Sequence, residues 1–387
     1  MRKFKRLFAG ILAIGVLICG FTGCSQESET LDLKNVQLTE AQIEEVSNNT
    51  HEDLTSAKFS GTAYAGLNNQ DIFLKAYGYT DKSKDKALDE NYVYQLGSVS
   101  KIFTGLAVMK LNNQGKLEMS DTLDKYFPEY DNKEYSKIKI KNLLDMTAGF
   151  DSYTDYLSDN TDFLYKIDKM VSKNPNNPKI SDEILDFILS NGTENQVGDY
   201  SYSHSCYYIL GKIIEKVANK PYFDYIEENI IEPLGLEKTS CLNNKGNKSG
   251  YNETHKKWRS QKDFPVLNNP YVMYSSMGIQ SNAEDLAKLC NGILCNKIVE
   301  NTDCIEKIKN TSSNYNYGFY INGNTIYSEG ATTLHSGYVY INTEYFEKVV
   351  LLSNHTGIKD FDETTKNVYN KLNSKINGII INQIDNG

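Results

Sequence analysis

The side chains best suited to take part in a chemical reaction belong to the tetrad Ser98-Val99-Ser100-Lys101. On a helix, residues three apart lie on the same face, so the amine of Lys101 can reach the hydroxyl of Ser98. A serine hydroxyl is a weak nucleophile that needs a base, and a lysine with a lowered pKa can be that base. Taken alone, the tetrad is better explained by a helix-capping serine and a solvated lysine than by a catalytic pair. The surrounding sequence must therefore decide between the two interpretations.

A helix is predicted to position this pair. Apolar residues recur at helical spacing from Val99 to Leu111, and Gly115 is placed to end the helix. Ser98 therefore lies where the helix begins. The unpaired N–H groups and the positive end of the helix dipole at such a position can stabilise an oxyanion formed when the serine attacks.

The rest of the chain has strand patterns at both ends and helical patterns between them. The predicted elements are a hairpin at 59–79, a mainly helical region at about 120–255, a loop from 244 to about 260, a helix at 283–289, strands at 317–321, 338–341 and 348–352, and a closing helix at about 361–376. This order predicts one antiparallel sheet built from both chain ends, flanked by helices, with an inserted mainly helical region.

Composition narrows the functional classes. The 387 residues are 40% hydrophobic and 24% charged, as in a globular protein with a sizeable core, and the net charge is −9. Such an acidic surface repels phosphate backbones, and no stripe of lysine and arginine offsets it. Nucleic acid is therefore not expected as a partner.

The first residues predict a targeting segment. A basic stretch at 2–6 precedes an apolar run at 7–19, which is too short for a comfortable membrane span, and Phe21-Thr22-Gly23-Cys24 resembles a bacterial lipobox. Residues 1–23 are predicted to be a lipoprotein signal peptide, 24–57 the lipidated Cys24 and a tether, and 58–380 the catalytic domain. The alternative is a plain N-terminal membrane anchor. Both place the rest of the chain outside the membrane.

The cysteine and histidine patterns do not predict a metal site. Five cysteines remain when Cys19 and Cys24 are set aside, and no CxxC pair exists among them. A disulfide between Cys295 and either Cys304 or Cys290 and a set of buried thiols both remain open. The five histidines show no HxxxH spacing. No cofactor or metal is expected.

Six segments in order resemble the class C β-lactamase family, which includes DD-carboxypeptidases and related esterases. The segments are LGSVSKIFT at 96–104, IKIKNLLDMTAGF at 138–150, YSYSHSCYYILG at 200–211, IEPLGL at 231–236, GIQSNAEDL at 278–286 and LHSG at 334–337. They resemble the family's nucleophile segment and its "LLxHTSG", "YSNxGYxLLG", "PLGM", "GLxSTAxDL" and "HTG" stretches. A chance match of six ordered segments is very improbable. The resemblance implies an α/β (α+β) β-lactamase/transpeptidase-like fold.

The resemblance also implies roles for individual residues. Ser98 would be acylated and Lys101 would assist its deprotonation. Tyr202 matches the motif tyrosine that shuttles a proton to the leaving group, as a phenolate or a hydroxyl, and Lys101 is the cation expected to lower its pKa. The LHSG segment would border the cleft. There His335 and Gly337 would face substrate, and the N–H of Tyr338 would be the oxyanion donor beside that of Ser98.

Three departures from the family pattern bear on substrate choice. His204 replaces the motif asparagine, which either retunes substrate choice or means that catalysis has decayed. His335 stands where many relatives have a lysine suited to a substrate carboxylate. The chain also runs quickly from Gly337 into the next strand, without the usual Pro-Gly-Phe connection, and Tyr338 is expected to narrow the cleft mouth.

The expected function is that of a serine hydrolase at the outer face of the bacterial membrane, anchored by lipid. Its substrates would be D-alanyl peptides of the cell wall or related small amides and esters, as for a D-Ala-D-Ala carboxypeptidase. Two alternatives remain open: a short-chain esterase, favoured by His335 and the narrowed mouth, and a non-catalytic penicillin- or peptide-binding surface protein, favoured by His204.

Overall fold

The computed structural model describes residues 36–130, 132–242, 249–252, 256–356 and 361–386. The predicted signal peptide and Cys24 lie outside the described residues. Among the described residues, no helix has both the length and the apolar character that a membrane crossing requires.

The chain folds into helices and strands that alternate in blocks. The helices are α1 Glu40–Ser56, α2 Lys101–Asn113, α3 Leu123–Tyr126, α4 Ile140–Leu144, α5 Tyr153–Asp159, α6 Thr161–Lys173, α7 Lys179–Asn191, α8 His204–Ala218, α9 Tyr222–Ile226, α10 Glu232–Leu234, α11 Pro270–Met277, α12 Ala283–Leu294, α13 Cys304–Lys309 and α14 Phe361–Asn386. The strands are β1 Gly61–Leu67, β2 Gln70–Tyr77, β3 Tyr94–Gln95, β4 Ser240–Cys241, β5 Ser249–Asn252, β6 Lys257–Ser260, β7 Ile279–Ser281, β8 Tyr315–Asn316, β9 Phe319–Asn322, β10 Thr325–Ala331, β11 Ser336–Asn342, β12 Glu347–Ser353 and β13 His355–Thr356.

The main sheet is antiparallel, with the strand order β2-β1-β12-β11-β10-β9-β8. Its first two strands come from the N-terminal part of the chain and the other five from the C-terminal part. The predicted sheet assembled from both chain ends is therefore confirmed, and helices α3 to α10 form the predicted insertion.

The two faces of this sheet bury different cores. Along β11, Val339 and Ile341 pack on the side of the helical region and α2, whereas Tyr338 and Tyr340 pack on the opposite side. This alternation follows from the period of two along a strand. Residues of α1 and α14 complete the second core, which also contains Val36.

The structure corrects the sequence prediction in three places. The folded part begins by Val36, because α1 packs its buried residues Val46 and Leu54 into the second core, so 36–57 is not a simple tether. The predicted loop at 244–260 contains the paired strands β5 and β6. The strand β10 was not predicted, because its serine, glutamate and glycine interrupt the apolar alternation that marks a strand.

The sequence left open whether the five remaining cysteines include a disulfide or are buried thiols. In the structure all five are free thiols. Cys206, Cys290 and Cys304 are buried, Cys241 is half-buried and Cys295 is exposed. The structure therefore has the buried-thiol arrangement for three of them rather than a disulfide.

Glu347 is an unusual member of the second core. It is 0% exposed on β12, it lies on the same strand face as Val349 and Leu351, and neither of its carboxylate oxygens has a hydrogen-bond partner. Burial raises its pKa to about 8. A carboxyl group in such a place stays protonated at neutral pH because ionisation without a partner is costly.

We expect the contribution of Glu347 to the stability of the protein to fall as the pH rises from about 4.5 to about 8. The unfolded chain releases the Glu347 proton near pH 4.5, its ordinary pKa, whereas the folded chain keeps it until about pH 8. Glu347→Gln should remove this dependence and raise the free energy of unfolding at pH 8 by a few kcal/mol, on the order of 1.4 per pKa unit. Urea unfolding of both proteins at the two pH values measures the difference. Parallel pH profiles for the two proteins would contradict it.

Candidate active site

The backbone around Ser98 forms a tight turn rather than the first turn of a regular α-helix. Residues Gly97–Ser100 are a 3₁₀ helix that leads directly into α2. Two hydrogen bonds to β7 hold this turn in place: Leu96 N–H donates to the Ile279 carbonyl at 3.0 Å, and Ile279 N–H donates to the Ser100 hydroxyl at 3.0 Å. The prediction that Ser98 lies where a helix begins is confirmed.

Lys101 is 0% exposed and its amine contacts three groups. The Nζ atom lies 3.0 Å from Ser98 Oγ, 3.0 Å from His204 Nδ1 and 3.1 Å from the Ser276 carbonyl oxygen. Burial holds the pKa of Lys101 well below its usual range. The structure therefore provides what a serine nucleophile requires, a neutral amine in hydrogen-bond contact with the hydroxyl.

The three contacts of Lys101 match the hydrogen-bonding capacity of a neutral amine. Such an amine has two N–H donors and one lone pair. The Ser276 carbonyl can only accept, and a neutral His204 can accept at Nδ1, so these two partners take the donors. In the neutral amine the lone pair is then directed to the Ser98 hydroxyl, whereas in the protonated amine the third N–H donates to that hydroxyl. This arrangement makes Lys101 an acceptor for the Ser98 proton.

His204 thus has a structural reason to occupy the position of the motif asparagine. Burial and the neighbouring Lys101 hold the pKa of His204 well below its usual range, so its imidazole is neutral. When Nδ1 accepts from Lys101, the ring proton lies on Nε2. The backbone of His204 is held at the start of α8, where its backbone N–H donates to the Ser152 hydroxyl at 3.0 Å.

Tyr202 lies beside the same amine, with its ring centroid 5.1 Å from Lys101 Nζ. Burial raises the pKa of Tyr202 far above its ordinary value, the field of Glu329 adds to the rise, and a hydrogen bond with Ser98 only partly opposes it. The expectation that this pKa is lowered is wrong, because burial is the largest influence on it and raises it. Tyr202 therefore carries a hydroxyl rather than a phenolate at neutral pH.

The predicted substrate-facing role of the 334–337 segment is also wrong. His335 is 0% exposed and lies behind the Ser98 turn, where its Nδ1 accepts from Gln95 N–H at 3.0 Å and its ring contacts Tyr92 and Tyr94. Gly337 faces Leu352 across β11 and β12. His335 therefore stabilises the segment that precedes Ser98.

Tyr338 does not narrow the cleft either. Its side chain belongs to the second core and stacks on Tyr340, with ring centroids 6.1 Å apart. Because side chains alternate along β11, the ring of Tyr338 points to the sheet face opposite Ser98 and Lys101. The N–H of Tyr338 is also one strand removed from the Ser98 turn, since β10 lies between them.

The strand that borders Ser98 is β10. A Cβ atom added at Gly330 would lie 2.2 Å from the Leu96 carbonyl oxygen and 2.7 Å from Ser98 N, and one added at Gly97 would lie 2.5 Å from the Ala331 carbonyl oxygen. Gly97 also has φ +55°, a conformation that glycine adopts without strain. Two glycines therefore allow this close approach of backbone to backbone.

The N–H of Ala331 is directed toward the Ser98 turn, which is the position expected of a second oxyanion donor. Thr332 N–H donates to the His335 carbonyl across the β10–β11 hairpin. Backbone N–H groups point alternately to the two edges of a strand, so the N–H of Ala331 points away from β11, toward the edge that carries the Ser98 turn. The sequence contained a signal that the strand beside Ser98 is β10. The short connection after Gly337 departs from the family pattern and fits a motif located one strand earlier.

Comparison with known proteins agrees with this geometry. Residues 46–371 match the family model described as Beta-lactamase. The chain belongs to the beta-lactamase family. A Bacillus subtilis protein named for penicillin binding, PbpX, is 24% identical to this chain over an alignment of 416 positions. The alignment covers 97% of this chain and 96% of PbpX. The beta-lactamase family includes serine hydrolases that are related to penicillin-binding proteins.

Two solved structures share the beta-lactamase fold of this chain. FmtA from Staphylococcus aureus superposes with a TM-score of 0.71 at 22% identity, over 86% of this chain and 89% of FmtA. D-amino acid amidase from Ochrobactrum anthropi SV3, crystallised with D-phenylalanine, superposes with a TM-score of 0.69 at 17% identity, over 87% of this chain and 99% of the amidase. At these identities the two structures establish the fold alone.

The assignment of β10 rather than β11 to the active site can be tested with two matched alanine substitutions. Gly330→Ala places a methyl group against backbone atoms, so we expect acylation of Ser98 by a fluorophosphonate to slow by roughly a hundredfold. Gly337→Ala meets only the end of the flexible Leu352 side chain and should react nearly as the unaltered protein does. Circular dichroism checks that both variants fold. Equal rates for the two variants would contradict the assignment.

The role of Lys101 predicts a pH dependence for the same reaction. Acylation should fall as the pH drops through the lowered pKa of Lys101, because protonation removes the lone pair that accepts the Ser98 proton. Lys101→Met should slow acylation by about 10² to 10⁴ and abolish this dependence. Lys110→Met is the control, since Lys110 lies on the same helix but donates to the Asn229 carbonyl. A Lys101→Met variant with unchanged rates would exclude Lys101 as the base.

Proposed function

We propose that this protein is an extracytoplasmic serine hydrolase that acts through an acyl-enzyme on Ser98. Its substrates are D-alanyl peptides of the cell wall or related small amides and esters. The observation that carries the proposal is the contact of a buried, neutral Lys101 amine with the Ser98 hydroxyl at 3.0 Å. The beta-lactamase family membership and the penicillin-binding name of the Bacillus relative support the substrate class.

The first half of the reaction follows from these contacts. Lys101 Nζ takes the proton of the Ser98 hydroxyl while Oγ attacks the substrate carbonyl carbon and the carbonyl electrons move to oxygen. The N–H groups of Ser98 and Ala331 stabilise that oxyanion. As the tetrahedral intermediate collapses, the bond to the leaving group breaks. The Tyr202 hydroxyl donates a proton to the leaving group and is reprotonated from Lys101.

The second half reverses these steps with water. A water molecule attacks the acyl carbon and gives its proton to the Lys101–Tyr202 pair, and Ser98 Oγ leaves with a proton from Lys101. His204 and the Ser276 carbonyl hold the amine in place through both halves. In this scheme His204 is a positioning residue.

The location of the protein is part of the same proposal. The basic and apolar residues before Cys24 are typical of a lipoprotein signal, and lipid on Cys24 would keep the domain at the outer face of the membrane. Substrates from the cell wall would be accessible there.

The alternatives have less support than the sequence alone suggested. The esterase hypothesis rested on His335 and on a cleft mouth narrowed by Tyr338, and both side chains lie away from Ser98. The hypothesis of a non-catalytic binding protein rested on His204, which instead accepts a hydrogen bond from Lys101.

Mass spectrometry of the intact protein tests the proposal. The protein is incubated with penicillin and, separately, with a fluorophosphonate, and Ser98→Ala is treated in parallel. We expect a covalent adduct on the unaltered protein and none on the variant, and release of D-alanine from a D-alanyl amide or ester by the unaltered protein only.

Each reagent reports a different property. The fluorophosphonate tests the reactivity of Ser98, penicillin tests the fit of the acyl pocket, and release of D-alanine tests turnover. If folded protein shows neither an adduct nor turnover, the hydrolase proposal is contradicted and the binding-protein alternative is favoured.

A further inference from the structure

The amine of Lys101 depends on two acceptors that come from different helices. His204 lies at the start of α8, and the Ser276 carbonyl lies near the end of α11. Their distances from Nζ are 3.0 and 3.1 Å. A displacement of about 1 Å in such a geometry can slow a reaction by about a hundredfold. The site therefore requires a contact that fixes α8 and α11 relative to each other.

The backbone that presents the Ser276 carbonyl is bent. Helix α11 is interrupted at Tyr274, whose φ of +41° and ψ of −138° are strained for a residue with a side chain. Just after this bend, the Ser275 carbonyl accepts from the Thr104 hydroxyl of α2 at 2.6 Å. The Ser276 carbonyl accepts from the Lys101 amine of the same helix. Because a strained bend persists only where its surroundings hold it, the contacts on both sides of Tyr274 determine where the Ser276 carbonyl lies.

Tyr153 touches both sides of this bend with one hydroxyl group. The side chain is buried, and its hydroxyl donates to the Val272 carbonyl at 2.7 Å and lies 3.2 Å from Ser276 Oγ. Val272 precedes Tyr274 in the chain, and Ser276 follows it. Burial raises the pKa of Tyr153 above its ordinary value, so the hydroxyl keeps its proton and remains a donor.

The same residue also contacts the other acceptor of the amine. The ring of Tyr153 packs edge-to-face on the His204 imidazole, with centroids 6.5 Å apart. The backbone N–H of Tyr153 donates to the Ser205 hydroxyl at 2.9 Å, beside the bond from His204 N–H to the Ser152 hydroxyl. Residues 152–153 are therefore joined to the first turn of α8 by two hydrogen bonds, in addition to the contact between the rings.

We propose that Tyr153 is a positioning residue that keeps His204 and the Ser276 carbonyl at hydrogen-bond distance from the Lys101 amine. With both acceptors in place, the two N–H groups of the neutral amine are engaged and its lone pair stays directed at the Ser98 hydroxyl. Tyr153 thus acts through Lys101 and transfers no proton itself. This inference rests on the proposed hydrolase function and concerns the same site.

Saturation kinetics of acylation by a fluorophosphonate test this role. Tyr153→Phe keeps the ring and its packing but removes the hydroxyl. We expect the maximal rate at saturating reagent to fall about tenfold, because the lone pair is less often aligned with the Ser98 hydroxyl. The reagent concentration that gives half the maximal rate should change by less than about twofold, since Tyr153 does not bind the reagent. Circular dichroism checks that the variant is folded.

Tyr208→Phe is the matched control. Tyr208 is buried beside Tyr153, and its hydroxyl donates to the Tyr271 carbonyl at 2.6 Å, in the first turn of α11. This substitution also removes a hydroxyl that is bonded to a carbonyl of α11, but at a distance from the bend. It should leave the maximal rate within about twofold of that of the unaltered protein.

A double substitution separates positioning from a general structural role. If Tyr153 acts through the Lys101 amine, adding Tyr153→Phe to Lys101→Met should change the residual rate by less than about twofold. A structural role would lower the rate by the same factor in both backgrounds. Should Tyr153→Phe fail to fold, Ser276→Ala removes the contact with the Tyr153 hydroxyl from the other side, and a fall of about threefold that is absent in the Lys101→Met background is expected instead.

The outcomes separate this inference from the proposed function. An unchanged maximal rate in Tyr153→Phe, an equal fall in Tyr208→Phe, or a fall that recurs in the Lys101→Met background would each overturn the role of Tyr153 and leave the hydrolase proposal standing. Failure of Ser98 to be acylated in the unaltered protein would overturn the hydrolase proposal and, with it, the role of Tyr153.

Discussion

The contact between the Lys101 amine and the Ser98 hydroxyl is the interaction on which the rest of the site depends. It works only while the amine is neutral, and the amine is neutral only while water is kept away from it. The surrounding packing therefore has a chemical role as well as a structural one. Ser276 and His204 supply the acceptors that a buried amine needs, so the cost of burying it without partners is avoided.

The second constraint is the approach of β10 to the Ser98 turn. Backbones of two elements come together there without intervening side chains, which only residues such as Gly97 and Gly330 permit. This approach brings the backbone of Ala331 beside that of the Ser98 turn.

His204 changes the site without adding a charge to it. A neutral histidine occupies the position of the motif asparagine, and its Nδ1 lies 3.0 Å from the Lys101 amine. The beta-lactamase fold is thus retained with a different side chain holding the amine.

Much of this protein is determined by its sequence alone. The spacing of Ser98 and Lys101 at a helix start, the position of Tyr202 in its segment and the strand patterns at both chain ends were sufficient to predict the fold, the family and three of the proposed catalytic residues. These features are local, since they depend on residues close together in the chain or on the order of short motifs. The same local patterns placed the border of the cleft at His335 and Gly337 instead of at Gly330 and Ala331.

Only the tertiary structure decided which strand lies beside Ser98, because β10 and β11 are joined by a tight hairpin and both carry a glycine. The pairing of β11 with both β10 and β12 leaves β10 facing the Ser98 turn, and no local pattern encodes that order. The protonation states of Lys101, Tyr202 and His204 were likewise not predictable. They depend on burial by segments more than a hundred residues apart in sequence, as in the contact of Lys101 with Ser276.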